Sequence, residues 1–102
     1  MKTYMMLMKF TTPGVEAIRS AHAARTAGKR AAKSLGITWK HQYLIMGEYD
    51  ILTVLEAPDE ETVARFALMG AMTGSFSTQT MRAFTEREAD ELIRGLPAEP
   101  PA

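Results

Sequence analysis

A short polar run between two apolar runs constrains the fold of this chain more than any other feature. Met46-Gly47-Glu48-Tyr49-Asp50 separates Tyr43-Leu44-Ile45 from Ile51-Leu52-Thr53-Val54-Leu55, and both flanking runs are rich in β-branched or aromatic residues. Since Gly47 can adopt the positive φ that a two-residue turn or a β-bulge needs, the pattern predicts a tight β-hairpin. A turn requires neither a tyrosine nor two carboxyls, so the same run is also a candidate for chemistry.

The rest of the chain alternates between strand-like and helix-like patterns. Pro13 after two threonines signals a helix start, Gly36 signals a helix end, and Thr85 with Glu88 predicts a capping box. The predicted strands are 2–10, 37–46, 51–55 and 76–84, and the predicted helices run from about 12 to 34, 58 to 71 and 85 to 94. This order, βαββαβ, predicts a ferredoxin-like α+β fold with antiparallel sheet order 4-1-3-2 and a short C-terminal helix.

Length and composition indicate one small domain. The chain has 102 residues, of which 46% are hydrophobic, and no internal repeat or second domain is visible. We expect residues 1–94 to form the domain. Residues 95–102 contain three prolines that deny the backbone regular hydrogen bonding, so we expect a mobile tail.

Charge and cysteine content exclude several classes of site. Twelve basic and twelve acidic residues give a net charge of zero, so no overall field attracts nucleic acid or acidic lipid. The absence of cysteine excludes disulfides, thiolate catalysis and cysteine metal sites. No stretch approaches membrane-spanning length and the N-terminus does not resemble a signal peptide, so we expect a cytoplasmic protein with neither nucleic acid nor a membrane as partner.

Three predicted strands are apolar on both faces. Met5-Met6-Leu7-Met8, Leu44-Ile45-Met46 and Ile51-Leu52-Thr53-Val54-Leu55 do not alternate with polar residues, although two helices cover only one face of such a sheet. A monomer would expose the other face to water. We therefore expect a homodimer, or a higher oligomer built on it, in which two sheets pack face to face as a dimeric α/β-barrel.

Several segments of the chain resemble the GYD domain family. The match spans all four predicted strands, and its most specific parts are the hairpin run and the entry to the second helix. The segments are Thr3-Tyr4, Lys9-Phe10-Thr11, Met46-Gly47-Glu48-Tyr49-Asp50, Glu56-Ala57-Pro58-Asp59 and Thr80-Met81-Arg82-Ala83-Phe84. The resemblance implies a dimeric α/β-barrel and, in general, no assigned reaction.

An imidazole and two aromatic rings recur along the second predicted strand. Trp39, His41 and Tyr43 alternate in sequence, so a regular strand would place all three on one face. Such a face suits a small aromatic or carbonyl compound, with Trp39 and Tyr43 binding it and His41 as a catalytic general acid or base. The alternative is that His41 only covers an edge strand.

The hairpin run offers two carboxyls and a phenol. Glu48 and Asp50 share parity, so one of them is a candidate general acid or base, and we assign this catalytic role to Asp50. Tyr49 is assigned to ligand binding. In the alternative, Asp50 accepts hydrogen bonds from backbone N–H groups and Glu48 is solvated. The two histidines are far apart and lack metal-ligand spacing, so we predict no metal and no cofactor.

Arg82 follows Thr78 and Thr80 at alternate positions of the fourth strand. A guanidinium at the end of a hydroxyl row could bind a ligand carboxylate. The alternative is an ion pair with Glu56 or with another surface acid. The basic residues Lys29, Arg30 and Lys33 of the first helix are expected to form a solvated face.

These residues together predict one small-molecule pocket per subunit, between the sheet and the helices. His41, Tyr43, Tyr49, Asp50 and Arg82 would line it, with Trp39 at its edge; in the alternative, His41 and Tyr43 face the barrel interior. One functional class is a cofactor-independent isomerase, lyase or oxygenase acting on a small aromatic or enolisable compound, and the other is a non-catalytic binding or sensing module. A perturbed His or carboxyl in a closed pocket would favour the enzyme, and an apolar cavity would favour the binding module. A structural assembly unit is a third interpretation.

Overall fold

The protein is an α+β domain built on one four-stranded sheet. A computed structural model describes residues 1–101. The antiparallel sheet has the order β2-β3-β1-β4, which is the predicted 4-1-3-2 order counted from the opposite edge. The strands are β1 (Lys2–Phe10), β2 (Thr38–Leu44), β3 (Ile51–Ala57) and β4 (Phe76–Ala83), and the helices are α1 (Thr12–Glu16), α2 (Ala21–Ser34), α3 (Glu60–Met72) and α4 (Glu86–Arg94).

The predicted long helix between β1 and β2 is interrupted, which corrects the sequence prediction. A short 3-10 turn, Ile18–Ser20, separates α1 from α2. The backbone N–H of Thr11 donates to Ser75 O at 3.1 Å, and a side-chain carbon at Gly14 would lie only 2.1 Å from the same oxygen. Because α1 is held against the segment before β4, the chain must change direction at Ala17 before α2 begins.

The predicted hairpin between β2 and β3 forms. The N–H of Ile45 donates to Asp50 O at 2.8 Å, which leaves the four residues 46–49 as the loop. Gly47 has φ of 123°, so the predicted positive φ is confirmed. A side chain at this φ would be strained, which explains a glycine at this position.

The core lies between one face of the sheet and the two long helices. Tyr4 pairs with Leu55 across β1 and β3, and both side chains are almost fully buried. Ala32 of α2 and Val63 of α3 pack against them. The opposite face, which we call the open face, carries residues of the other parity. Two cross-strand rows run over it: His41, Val54, Met5 and Met81, and Tyr43, Leu52, Leu7 and Gln79.

Side-chain caps fix the starts of two helices, and the one at α4 is the capping box that the sequence predicts. Asp59 Oδ1 accepts hydrogen bonds from Thr62 Oγ1 at 2.7 Å and from Thr62 N at 2.8 Å, and these bonds lower the pKa of Asp59. Thr85 and Glu88 form a capping box at α4, and the bond from the Thr85 N–H lowers the pKa of Glu88. Both helix starts are therefore fixed by side-chain chemistry close in sequence.

The chain beyond α4 has neither helix nor strand as far as residue 101, and its side chains are exposed. Ala102 of the predicted tail lies outside the described residues, and mobility of the tail stays a prediction. None of the helices within residues 1–101 is long and apolar enough to cross a membrane.

Candidate functional site

A β-bulge divides the predicted aromatic face of β2. Trp39 pairs with Leu55 and His41 pairs with Val54, so Lys40 is an extra residue without a partner. Paired side chains share a face, whereas consecutive residues of β3 point to opposite faces. Trp39 therefore faces the helices while His41 lies on the open face, and the prediction of one shared face is wrong.

The two halves of β2 have different surroundings. The Trp39 ring meets Phe66 of α3 edge to face, with centroids 6.5 Å apart, and Lys29 Nζ of α2 lies 5.9 Å from the Trp39 ring centroid. His41 stacks on Tyr43 instead, with centroids 6.1 Å apart, and both side chains are exposed. Trp39 thus belongs to the space between sheet and helices, whereas His41 and Tyr43 belong to the open face.

The carboxylate of Asp50 forms a hydrogen bond with the protein backbone. Its Oδ2 accepts a hydrogen bond from the N–H of Phe10 at 2.9 Å, and the N–H of Asp50 donates to Met8 O at 2.9 Å. The alternative role of Asp50, accepting a hydrogen bond from a backbone N–H, is therefore present. The N–H belongs to Phe10 of β1 and not to the turn. The Tyr49 hydroxyl donates to Gln79 Oε1 of β4, so the Tyr49 side chain reaches across the end of the open face.

The Arg82 guanidinium already interacts with groups of its own chain. Its Nη2 lies 3.4 Å from Glu88 Oε2 of α4, its Nη1 donates to Thr3 O at 3.3 Å, and its guanidinium carbon lies 4.3 Å from the Phe84 ring centroid. The predicted alternative of an ion pair with a surface acid is therefore present, with Glu88 as the acid. Glu56 pairs with Lys40 instead, at 3.6 Å.

A cavity of about 350 Å³ lies between the sheet, α2 and α3. Of the six residues predicted to form the pocket, Trp39 alone lines it; the other five do not come together around it. The walls are mainly small or apolar side chains from α2, β1 and α3: Ala24, Ala27, Ala31, Met6, Met8 and Phe66.

A polar pair lies at the floor of this cavity. Gln42 Nε2 donates to Thr53 Oγ1 at 3.0 Å, and the Thr53 hydroxyl donates to Met8 Sδ at 3.7 Å. Arg25 Nε of α2 donates to Gln42 Oε1 at 2.9 Å. Among the described lining residues Arg25 is the one charged group, and His, Lys, Asp, Glu and Tyr are absent. The arrangement can orient a ligand, but it offers no general acid or base.

The sequence predicts a pocket between the sheet and the helices but not the residues that line this cavity, although two signals pointed to them. The alanines at 24, 27 and 31 follow helical spacing, and Met6 and Met8 share one parity of β1. Small side chains on a helix and flexible ones on the facing strand leave adaptable space between them. No group of three or more metal-ligating side chains occurs in the part of the chain that the structure describes.

Comparison with known proteins identifies the family. The sequence model described as the GYD domain matches residues 4–93. The chain belongs to the GYD domain family. This GYD domain chain is also 32% identical over 84 residues to the "Glutamine synthetase and cystathionine beta-lyase binding protein" of Thermus thermophilus, an alignment covering 81% of this chain and 88% of the relative.

A solved structure supports the fold. The crystal structure of a hypothetical protein from Pyrococcus horikoshii matches the GYD domain chain with a TM-score of 0.50, covering 84% of this chain and 93% of the other. The two sequences are 22% identical, so the likeness concerns the fold alone. The family resemblance inferred from the hairpin run is confirmed by the family match.

Proposed function

We propose that this GYD domain protein is a non-catalytic binding or sensing module that holds a small, flat, apolar molecule between its sheet and helices. The observation that carries the proposal is the cavity of about 350 Å³ with apolar walls and the Gln42–Thr53 pair at its floor. Ligand pockets typically have volumes of about 300 to 1,000 Å³, with mainly apolar walls and a few polar groups that orient the ligand.

The position of the predicted catalytic groups supports a binding module over an enzyme. His41 lies on the open face, and the Asp50 carboxylate is bonded to the Phe10 N–H. Neither residue lines the cavity. A ligand held there would contact alanine, methionine and aromatic side chains, which bind by burial and do not transfer protons.

The homodimer belongs to the same proposal. Met5, Leu7, Leu52 and Val54 form the centre of the open face, and each remains partly exposed in the single chain. Face-to-face packing of two such sheets would remove this apolar surface from water. His41 and Tyr43 would then face the barrel interior, which is the alternative location that the sequence leaves open.

The ligand proposal is tested with phenylnaphthylamine, a neutral apolar dye whose fluorescence rises in dry surroundings. Ala27→Phe places a ring on the cavity wall, whereas Ala23→Phe makes the same change on an α2 residue that does not line the cavity. We expect Ala27→Phe to weaken dye binding by about tenfold or more, because the added ring would occupy space in the cavity that the dye needs. Equal affinity in the parent and both variants would contradict the proposal.

A second candidate is a protein-binding role, which the name of the Thermus thermophilus relative supports. In this chain Leu92, Ile93 and Leu96 expose more than half of their surface at the end of α4. If α4 contacts an enzyme subunit, Leu92→Glu should prevent co-elution with purified glutamine synthetase or cystathionine beta-lyase from the same source. Arg87→Glu on the same helix is the control. Absence of co-elution by the parent would exclude these two partners.

A further inference from the structure

A trough of about 840 Å³ runs along the outer flank of α2, on the side of the edge strand β2. Arg25, Lys29 and Lys33 occupy successive turns of α2 and therefore share one face of the helix. Lys40 and His41 are also among its lining residues, although the His41 side chain lies on the open face. Three cations of α2 and Lys40 thus border one depression on a protein of zero net charge.

The charges of the trough are only partly compensated. Lys40 is paired with Glu56 at 3.6 Å, and Arg25 donates to the neutral amide of Gln42. Within residues 1–101, Lys29 and Lys33 have no carboxylate within 4.0 Å, and the described trough lining contains no Asp or Glu. Lys29 is held near the Trp39 ring, with Nζ 5.9 Å from the ring centroid.

The trough and the apolar cavity share one wall. Arg25, Trp39 and Gln42 line both spaces, and the hydrogen bond of 2.9 Å between Arg25 Nε and Gln42 Oε1 crosses the wall between them. A molecule whose apolar part occupies the cavity would therefore have its outer end beside Arg25 and Lys29. An anion at that end would lie on the side of the wall where positive charge is concentrated.

We propose that the ligand of this protein is an amphipathic anion, with a flat apolar body in the cavity and one carboxylate or similar anionic group in the basic trough. The proposal rests on the proposed binding function and adds the ligand class. Lys29 and Lys33 attract the anionic group, and Arg25 orients it at the shared wall. A purely neutral ligand would leave these cations without a role in binding.

Two dyes with the same ring system provide the test. Anilinonaphthalene sulfonate and phenylnaphthylamine have the same aromatic rings. The first carries a negatively charged sulfonate, and the second is uncharged. We expect the parent to bind the sulfonate about tenfold more tightly than the neutral dye, because two exposed cations each contribute a few-fold in affinity. Raising the salt concentration from about 0.01 M to about 0.5 M should remove most of this preference, since exposed charges are screened.

Variants of α2 locate the effect. The double variant Lys29→Gln with Lys33→Gln should remove most of the preference for the sulfonate, with only the contribution of Arg25 remaining, and should leave neutral-dye binding unchanged. Arg30→Gln is the matched control, because Arg30 lies between the two lysines in sequence and lines neither space. Ala27→Phe should weaken binding of both dyes.

The outcomes distinguish failure of the amphipathic-anion proposal from failure of the cavity-binding proposal. Equal affinity for both dyes, or a sulfonate preference that survives the double lysine variant, overturns the amphipathic anion and leaves the cavity proposal standing. Sulfonate binding that is insensitive to Ala27→Phe also overturns it, because the dye would then sit elsewhere, for example on the open face. If Ala27→Phe does not weaken binding of the neutral dye, the proposed function itself is overturned.

Discussion

Asp50 Oδ2 accepts a hydrogen bond of 2.9 Å from the backbone N–H of Phe10, forty positions away in sequence. The bond fastens the hairpin loop to the last residue of β1. The Asp50 N–H also donates to Met8 O, so the loop exit is held at two points of the same strand. The signature residues of the hairpin thus have structural roles: Gly47 supplies the positive φ and Asp50 anchors the loop.

Replacing Asp50 should therefore affect stability more than binding. We expect Asp50→Ala to lower the free energy of unfolding by about 1 to 3 kcal/mol, because a partly buried N–H loses a charged acceptor. Asp50→Asn keeps an acceptor oxygen and should cost less. Urea unfolding measures both. Phenylnaphthylamine affinity should be unchanged in either variant, and a tenfold loss with unaltered stability would restore Asp50 as a site residue.

The conformation of Gly47 gives a second prediction. Gly47→Ala should lower the free energy of unfolding by about 1 kcal/mol or more, because φ of 123° is strained for a side-chain-bearing residue. Gly70 of α3 is the control, because it sits in a helix and a side-chain carbon added there would meet no atom within 4 Å. Gly70→Ala should raise stability by about 0.5 to 1 kcal/mol. Equal effects of the two substitutions in urea unfolding would contradict the positive-φ role.

Element identity and strand order could be predicted because their signals are local. Asp59 and Thr85 cap helices within three residues of themselves, and the spacing of the connections restricts the pairing of the strands. The interruption between α1 and α2 depends instead on contact with Ser75, more than sixty positions from Thr11. A helical pattern alone does not contain that information.

The sidedness of β2 could not be predicted, which is why Trp39 and His41 were expected on one face. Counting from Trp39 to His41 assumes regular pairing, and one extra residue reverses every later side chain. Lys40 carries no glycine or proline signal that would reveal the bulge. The size and lining of the cavity could not be predicted for another reason: the cavity volume depends on the separation of α2, α3 and the sheet, which small side chains such as Ala27 permit but do not specify.

The open face leads to a prediction about assembly. Val54→Lys places a charge at its centre and should convert the proposed dimer to monomer in light scattering, because a charge would be buried between the sheets. Ala64→Lys, on an exposed position of α3, is the control and should leave the mass unchanged. The parent should also melt at a lower temperature on dilution. A parent that is monomeric, with concentration-independent melting, would exclude the barrel.

Acid should weaken the start of α3. The bonds from Thr62 lower the pKa of Asp59 in the folded state below its ordinary value of 3.8. A carboxyl with a depressed folded-state pKa stabilises the fold above the unfolded pKa, and this contribution disappears as pH falls through the folded pKa. Asp59→Asn should therefore melt below the parent at neutral pH, and the gap should close below about pH 4. A gap between Asp59→Asn and the parent that stays constant with pH would contradict this role.

Deleting Lys40 tests the bulge directly. Without this residue Trp39 would still face the helices, His41 would follow on the open face, and Gln42 would still reach Thr53, so β2 would pair regularly with β3. The exposed ion pair with Glu56 would be lost at a cost of about 0 to 1 kcal/mol. We therefore expect the deletion variant to fold with nearly the parent melting temperature and to bind phenylnaphthylamine.

Deletion of Val54 is the control, because β3 pairs with both neighbours at that position and a one-residue shift would turn its buried side chains outward. If removing Lys40 is as damaging as removing Val54, then Lys40 is not an extra residue and Trp39 and His41 share a face after all.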